Sequence, residues 1–258
     1  MTTSGPRTFA YWCQIPSRPN FGDGLTPWLI TRLTGRAPHF RAADDPRPKL
    51  IITGSVLAQA GPAAIVWGAG IMSKDDKIAP GIDIRAVRGP LSRARALDCG
   101  ANCPPVVGDP ALLLPRIYSP THKRANGIGL ALHFADAPWA GPLVNGGPDL
   151  KLIDIQRPVE RVIDDLTACR AVASSSLHAI IAAHAYGVPT LWLRLRPLPS
   201  GDGTKFADYF ASVGLEPDLL ECPPDRIDPD EVAARARLPA FLPDLDALWN
   251  NCPLERLC

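Results

Sequence analysis

Five residues in the second half of the chain, Ser174-Ser175-Ser176-Leu177-His178, carry the most suggestive chemistry. They join small hydroxyl side chains to a histidine where an apolar run gives way to a helical pattern. Backbone N–H groups and hydroxyls at such a helix start point outward and offer a seat for a phosphate or carboxylate. His178, in the first turn, could protonate a bound anion or hold it. The alternative is that the serines cap the helix and His178 packs on a neighbouring loop. His184, among Ile180, Ile181, Ala183 and Ala185, reads as a buried structural residue.

A second candidate is Asn20-Phe21-Gly22-Asp23-Gly24, placed between a first strand and a first helix. Glycines let a ligand approach the backbone, and Asp23 could act as a base or bind hydroxyls; as an alternative, Asp23 is an ordinary helix N-cap. A third is the helix start around Pro90, where Arg85 and Arg88 could hold an anion or lie solvated. Gly108-Asp109-Pro110 could place Asp109 in the site or be a tight turn. The chain lacks a Walker loop, and Gly68-Ala69-Gly70 lacks the third glycine and acidic partner of a dinucleotide fingerprint. It also lacks a G-x-S-x-G elbow, so the serines are not read as nucleophiles.

The elements that must position these residues alternate short apolar runs with turns and helical stretches. Strands are expected at 8–12, 50–53, 64–67, 84–87 and 106–107, and helices at 25–33 and 91–97. After a Pro- and Lys/Arg-containing stretch at 114–126, read as a linker, a second block begins. It has strands at 127–132, 152–155, 171–173 and 190–193, and helices at 158–169, 177–186, 205–213, 230–237 and 240–250. Strands that end in small residues and feed helices predict an α/β fold with mostly parallel, doubly wound sheets. We place one domain at 1–115 and another at 126–258, with a cleft between them and the last helix able to pack back on the first domain.

The composition sets limits. At 258 residues the chain suits one large domain or two of roughly 120 residues. A net charge of +1 gives no reason to expect nucleic acid. Seven scattered cysteines without a C-x-x-C pair read as free thiols of a reducing cytosol, with no metal site. No secretory leader is expected over residues 1–7, and the apolar runs are too short to span a bilayer.

Taken in order, these segments resemble the polysaccharide pyruvyl transferase family. The matching stretches are NFGDGL (20–25), ITGSVL (52–57), VWGAGI (66–71), RAVRGPLS (85–92), GDPAL (108–112) and SSSLHAIIAAHAYGVP (174–189), with a weaker KFADYF at 205–210. The likeness is strongest to the short bacterial enzymes that place pyruvate ketals on exopolysaccharides. It implies two Rossmann-like domains in the GT-B arrangement, phosphoenolpyruvate as donor, and a hexose on a lipid-linked oligosaccharide as acceptor. No metal or cofactor is implied. By the resemblance, the donor site holds His178 with Ser174, Ser175, Ser176 and Leu177. Some members carry an arginine where this chain has Ser176, and another family arginine is replaced here by His133. His133, Arg194 or Lys205 could restore the charge. His178 would act as general acid or phosphate ligand and Asp23 as base, with Asn20, Arg85, Arg88 and Asp109 as further candidates.

Two other readings stay open: a GT-B glycosyltransferase using a nucleotide sugar, for which Asp202 or Glu216 could bind ribose, and a non-catalytic sugar-binding protein of the same fold. The protein is expected in the cytoplasm. The tail at 238–254 could touch the inner face of a membrane or dock on its own protein.

Overall fold

The structure, a computed structural model, describes residues 7–14, 20–121, 127–140, 143, 149–221 and 227–255. The expectations for residues 1–6, for the end of the linker (122–126) and for Cys222 and Cys258 lie outside the described residues.

Two five-stranded, wholly parallel sheets form the frame. The first is built from β1 (Phe9–Tyr11), β2 (His39–Phe40), β3 (Lys49–Ile51), β4 (Ala64–Trp67) and β5 (Asp83–Ala86), in the order β2-β1-β3-β4-β5. The second uses β6 (Ile128–Ala131), β7 (Leu150–Leu152), β8 (Ala171–Ser174), β9 (Thr190–Arg194) and β10 (Leu219–Glu221), in the order β10-β9-β8-β6-β7. Counted within each half, the two orders are the same. Each half starts one strand in from an edge of its sheet, adds the edge strand on one side and then winds outward on the other. The winding direction therefore reverses beside β1 and β3 in one half and beside β6 and β8 in the other. In open α/β sheets the carboxyl ends of the strands at such a reversal are where ligands bind.

The helices explain how the halves meet. Asn20 caps α1 (Phe21–Thr34), its Oδ1 accepting from Gly22 N at 3.0 Å and Asp23 N at 3.4 Å. The expected loop at 20–24 is thus the cap and first turn of a helix, and Asp23 is not the cap. The first amide of α1, Phe21 N, donates across the halves to Ile155 O at 2.6 Å. Helix α2 (Pro90–Asp98) packs in the first half, and α3 (Val159–Thr167) in the second, burying Val159, Val162, Ile163 and Leu166 along one stripe. Helix α4 (Leu177–Ala185) is buried nearly all round, as a helix must be when its second face also meets protein. A continuous apolar core joins Phe21, Leu25 and Leu29 of α1 and Leu112–Leu114 to Ile163 and Leu166 of α3 and Ile180 of α4. Separate clusters back the outer side of each sheet.

Residues 110–116, which take in the start of the linker expected at 114–126, form a 3-10 turn whose Leu112, Leu113 and Leu114 are buried. The remaining helices are α5 (Thr204–Ser212), α6 (Pro229–Arg235) and α7 (Leu245–Asn250). Helix α7 returns to the first half, where Trp67 Nε1 donates to Leu248 O at 2.9 Å and Arg116 pairs with Asp246 at 2.7 Å. No helix among the described residues is long and apolar enough to cross a membrane.

Candidate active site

The carboxyl ends of the reversal strands in the two halves come together along one seam. From the first half come Asn20, Gly22 and Asp23 at the start of α1. Thr53, just past β3, braces them by donating from Oγ1 to Gly22 O at 3.3 Å. From the second half come His133 after β6, the serine run and His178 after β8, and Lys205 at the start of α5.

His178 lies directly over the start of α1. A Cβ on Gly22 would stand 2.3 Å from His178 Nδ1 and 2.8 Å from Cγ, so only glycine leaves room for the imidazole. Its Nε2 faces Asp109 Oδ2 at 3.5 Å. The other oxygen of Asp109 caps the following turn, accepting from Ala111 N at 2.9 Å.

Asp23 is the titratable group that the fold perturbs usefully. Burial raises its pKa to about 6, opposed by His178, by the hydrogen bond from Asn20 Nδ2 and by Lys205. Lys205 has its pKa lowered by burial and by Arg88, with Asp136 and Asp23 opposing. Among the described residues its Nζ has no hydrogen-bond or ion-pair partner, which leaves a cation free for an incoming anion. His133 does not supply charge. Burial first, then Lys205 and Arg196, depress it to about 4, so it is neutral near pH 7, and its Nδ1 accepts from Ala135 N at 3.3 Å.

The serine run divides its tasks. Ser174 is buried and ties the turn, donating to Ala131 O at 2.6 Å and accepting from Ser176 N at 3.0 Å. Ser175 accepts from His133 N at 2.9 Å and donates to Asp136 Oδ2 at 2.8 Å. Ser176 is the N-cap of α4 by position, yet its side chain makes no capping bond. Leu177 is buried in the core. Within the run, His178 is thus the side chain facing Gly22 and Asp109 of the first half.

Three arginines stand elsewhere. Arg85 is exposed on the edge strand β5 and paired with Asp83 at 2.7 Å, because alternation turns it away from the core. Arg194 pairs with Glu221 of the neighbouring strand, so it does not restore the missing charge. Arg88 is fully buried, with Nε to Asp208 Oδ2 at 3.0 Å, Nη1 to Ser55 Oγ at 2.8 Å and Nη2 to Ile71 O at 2.6 Å. Asp208, on α5, also accepts from Ser92 N and Ser92 Oγ, at 2.9 and 2.6 Å. This network locks α2 of the first half to α5 of the second and accounts for the RGPLS and KFADYF stretches. Gly70 belongs to it, since a Cβ there would stand 2.4 Å from Arg88 Cζ. Arg88 therefore serves the fold rather than an open anion site.

Sequence reasoning missed Arg196 and Asp136. Arg196 lies just past β9, its Nε donating to Asp136 Oδ1 at 2.8 Å and Nη2 to Ala135 O at 3.0 Å. An arginine two residues beyond Arg194, just past the carboxyl end of the strand, was the available signal. Asp202 accepts from Thr204 N at 3.0 Å within its own loop and from Lys74 N of the first half at 3.2 Å, and so ties that loop across the halves. Glu216 is exposed after α5. His184 is buried, bonded to Tyr209 and Thr190, and burial lowers its pKa to about 4. No cluster able to hold a metal ion occurs among the described residues.

A cavity of about 730 Å³ opens elsewhere, at the amino ends of β1 and β3, between Phe9, Arg41, Lys49 and Leu254. Its buried cations are already engaged: Arg41 with Pro48 O, and Lys49 with Ala43 O at 2.7 Å and with Asp45 O. We therefore place the chemistry at the seam.

A histidine, a carboxyl group whose pKa burial raises to about 6 and a lysine without a hydrogen-bond or ion-pair partner among the described residues, met along the seam of two parallel sheets, define an α/β protein equipped to hold an anion and move protons. The chain belongs to the polysaccharide pyruvyl transferase family, whose model matches residues 20–196. The uncharacterized protein L143 of Acanthamoeba polyphaga mimivirus is similar at 26% identity over 182 residues, 66% of this chain. The match spans 62% of that relative's length. The crystal structure of a functionally uncharacterized protein from Klebsiella pneumoniae aligns with a TM-score of 0.47 at 10% identity, over 84% of this chain and 93% of that one.

Proposed function

We propose that the protein transfers pyruvate from phosphoenolpyruvate to a hexose of a lipid-linked polysaccharide repeat unit, closing a cyclic ketal across two hydroxyls. The observation that carries this reading is the meeting of His178 with Asp23 and Lys205, three groups from separate elements that suit the three needs of the reaction. In this reading the two halves face each other across a GT-B-like cleft.

Lys205, with the backbone N–H groups of the first turn of α4, holds the phosphate or carboxylate of the donor. His178 gives a proton to the methylene carbon, which makes the neighbouring carbon electrophilic. One sugar hydroxyl adds there while Asp23 takes its proton. Phosphate then leaves with the proton that Asp23 took up, and the second hydroxyl closes the ring and gives its own proton back to His178. The products are the ketal and inorganic phosphate. No metal or cofactor enters the scheme.

The reaction belongs in the cytoplasm, at the inner face of the membrane that carries the acceptor. Leu238, Phe241 and Leu242 are exposed apolar side chains suited to a peripheral contact there, whereas Leu248 and Leu254 are buried.

The test is incubation with phosphoenolpyruvate and lipid-linked oligosaccharides, following phosphate release and product mass. His178→Ala should lose transfer by roughly 10²–10⁴-fold while keeping a native circular dichroism spectrum. Near-normal turnover in that variant removes His178 from the chemistry.

A further inference from the structure

Asp109 and His178 reach the seam from opposite halves and meet through two atoms that nothing else satisfies. Asp109 Oδ2 and His178 Nε2 are both sealed from solvent, and neither has a hydrogen-bond partner among the described residues. They face each other at 3.5 Å, a separation that a small closure converts into a hydrogen bond. Native proteins leave few buried polar atoms unpaired, so two orphans aimed at each other ask for an explanation.

The carboxylate is fixed. Asp109 is fully buried, it is the N-cap of the turn Pro110–Arg116, and its Oδ1 is held by Ala111 N at 2.9 Å. The imidazole is also confined, by the backbone of Gly22 beneath its Nδ1 edge. That edge is different in kind: Nδ1 is not among the sealed orphan atoms and has no partner among the described residues. Two further titratable groups act on this pair: Asp23 from α1 interacts with His178, and Tyr209 from α5 with Asp109.

We propose that Asp109 is a positioning residue that holds the His178 ring with Nε2–H directed at Oδ2, leaving Nδ1 as the nitrogen that exchanges protons with the substrate. A carboxylate can only accept, so it selects the tautomer in which Nε2 carries the hydrogen. The neutral ring then presents a lone pair at Nδ1, and the protonated ring presents Nδ1–H. The catalytic half of this inference rests on the pyruvyl transfer proposed above; the tautomer half does not.

The test separates the two. Nitrogen-15 NMR of the full chain, with His178 assigned by the loss of its signals in His178→Gln, should show neutral His178 protonated on Nε2. Asp109→Asn keeps an oxygen for Ala111 N and turns an amide donor toward the ring. Nε2 must then accept, and the tautomer should reverse. With phosphoenolpyruvate and acceptor, the same variant should lose roughly 10²-fold in kcat with KM changed less than about twofold. A wild-type ring protonated on Nδ1 overturns the proposal even if the variant fails to fold. So does a tautomer that Asp109→Asn leaves unchanged. If the wild-type chain shows the Nε2–H tautomer and transfers no pyruvate, the functional reading fails and the positioning of the ring stands.

Discussion

Gly22→Ala changes one hydrogen to a methyl group and puts the proposed site to a direct test. The new Cβ would lie 2.3 Å from His178 Nδ1, 2.8 Å from Cγ and 3.1 Å from Cε1, so the ring must retreat by about 1 Å to reach ordinary van der Waals distance. Gly22 is not in the left-handed region, so the backbone accepts alanine without strain. Two effects on stability then oppose each other. Alanine favours the helix by up to about 1 kcal/mol, and crowding against a packed ring costs about 1–3 kcal/mol. The net cost is therefore at most about 3 kcal/mol, and the melting temperature should fall by no more than about 12 °C. Catalysis has no such compensation, since a reacting group displaced by about 1 Å can cost roughly 10²-fold. Phosphate release from phosphoenolpyruvate in the presence of acceptor, measured well below the melting temperature, gives kcat directly. A Gly22→Ala enzyme with wild-type kcat would show that His178 does not work from the position described, and the reasoning built on that position would go with it.

Much of the frame was legible because it rests on local signals. Apolar runs followed by small residues marked the central strands of both sheets, and Pro90 and Pro158 stand at helix starts near the expected places. The misses have local causes as well. His39–Phe40 and Leu219–Glu221 are edge strands of two and three residues with no alternation to detect. Val106-Val107 contributes only an isolated bridge, Val87 to Val107. The last helix begins at Leu245 rather than near 240 because Asp244 caps it, accepting from Asp246 N and Ala247 N at 3.0 and 2.8 Å. The site was legible only residue by residue. His178, Asp23 and Lys205 are chemically conspicuous types at helix starts. What the sequence could not show is that Asp109 would face His178, that Gly22 would lie beneath its ring, or that Arg88 would vanish into a network with Asp208. Those are contacts between halves, set by how α1, α4 and α5 pack, and no spacing within one segment encodes them.

Two further predictions follow from the groups that the fold buries. Asp23 has its pKa raised by burial from an ordinary 3.8 to about 6. The folded state therefore binds its proton more tightly than the unfolded chain, so this contribution to stability is full below about pH 4 and is lost as pH rises through 6. Asp23→Asn should accordingly melt higher than wild type at pH 8, by at most about 3 kcal/mol, and no differently at pH 4. Wild-type turnover should fall as pH drops through 6, where the proposed base becomes protonated. A variant that melts at the wild-type temperature at both pH values would mean that Asp23 is not held against its ionisation. The buried pair Arg88–Asp208 makes the opposite kind of demand, because each charge is tolerable only with its partner present. Asp208→Leu should cost roughly 3–5 kcal/mol in urea denaturation by stranding the guanidinium, and the double variant Arg88→Met/Asp208→Leu should recover much of that loss. An arginine working as a substrate ligand would behave otherwise: Arg88→Met would raise the KM for phosphoenolpyruvate at unchanged stability, and the double variant would rescue nothing. Recovery in the double variant, with KM held near its wild-type value, is the outcome that a purely structural Arg88 requires.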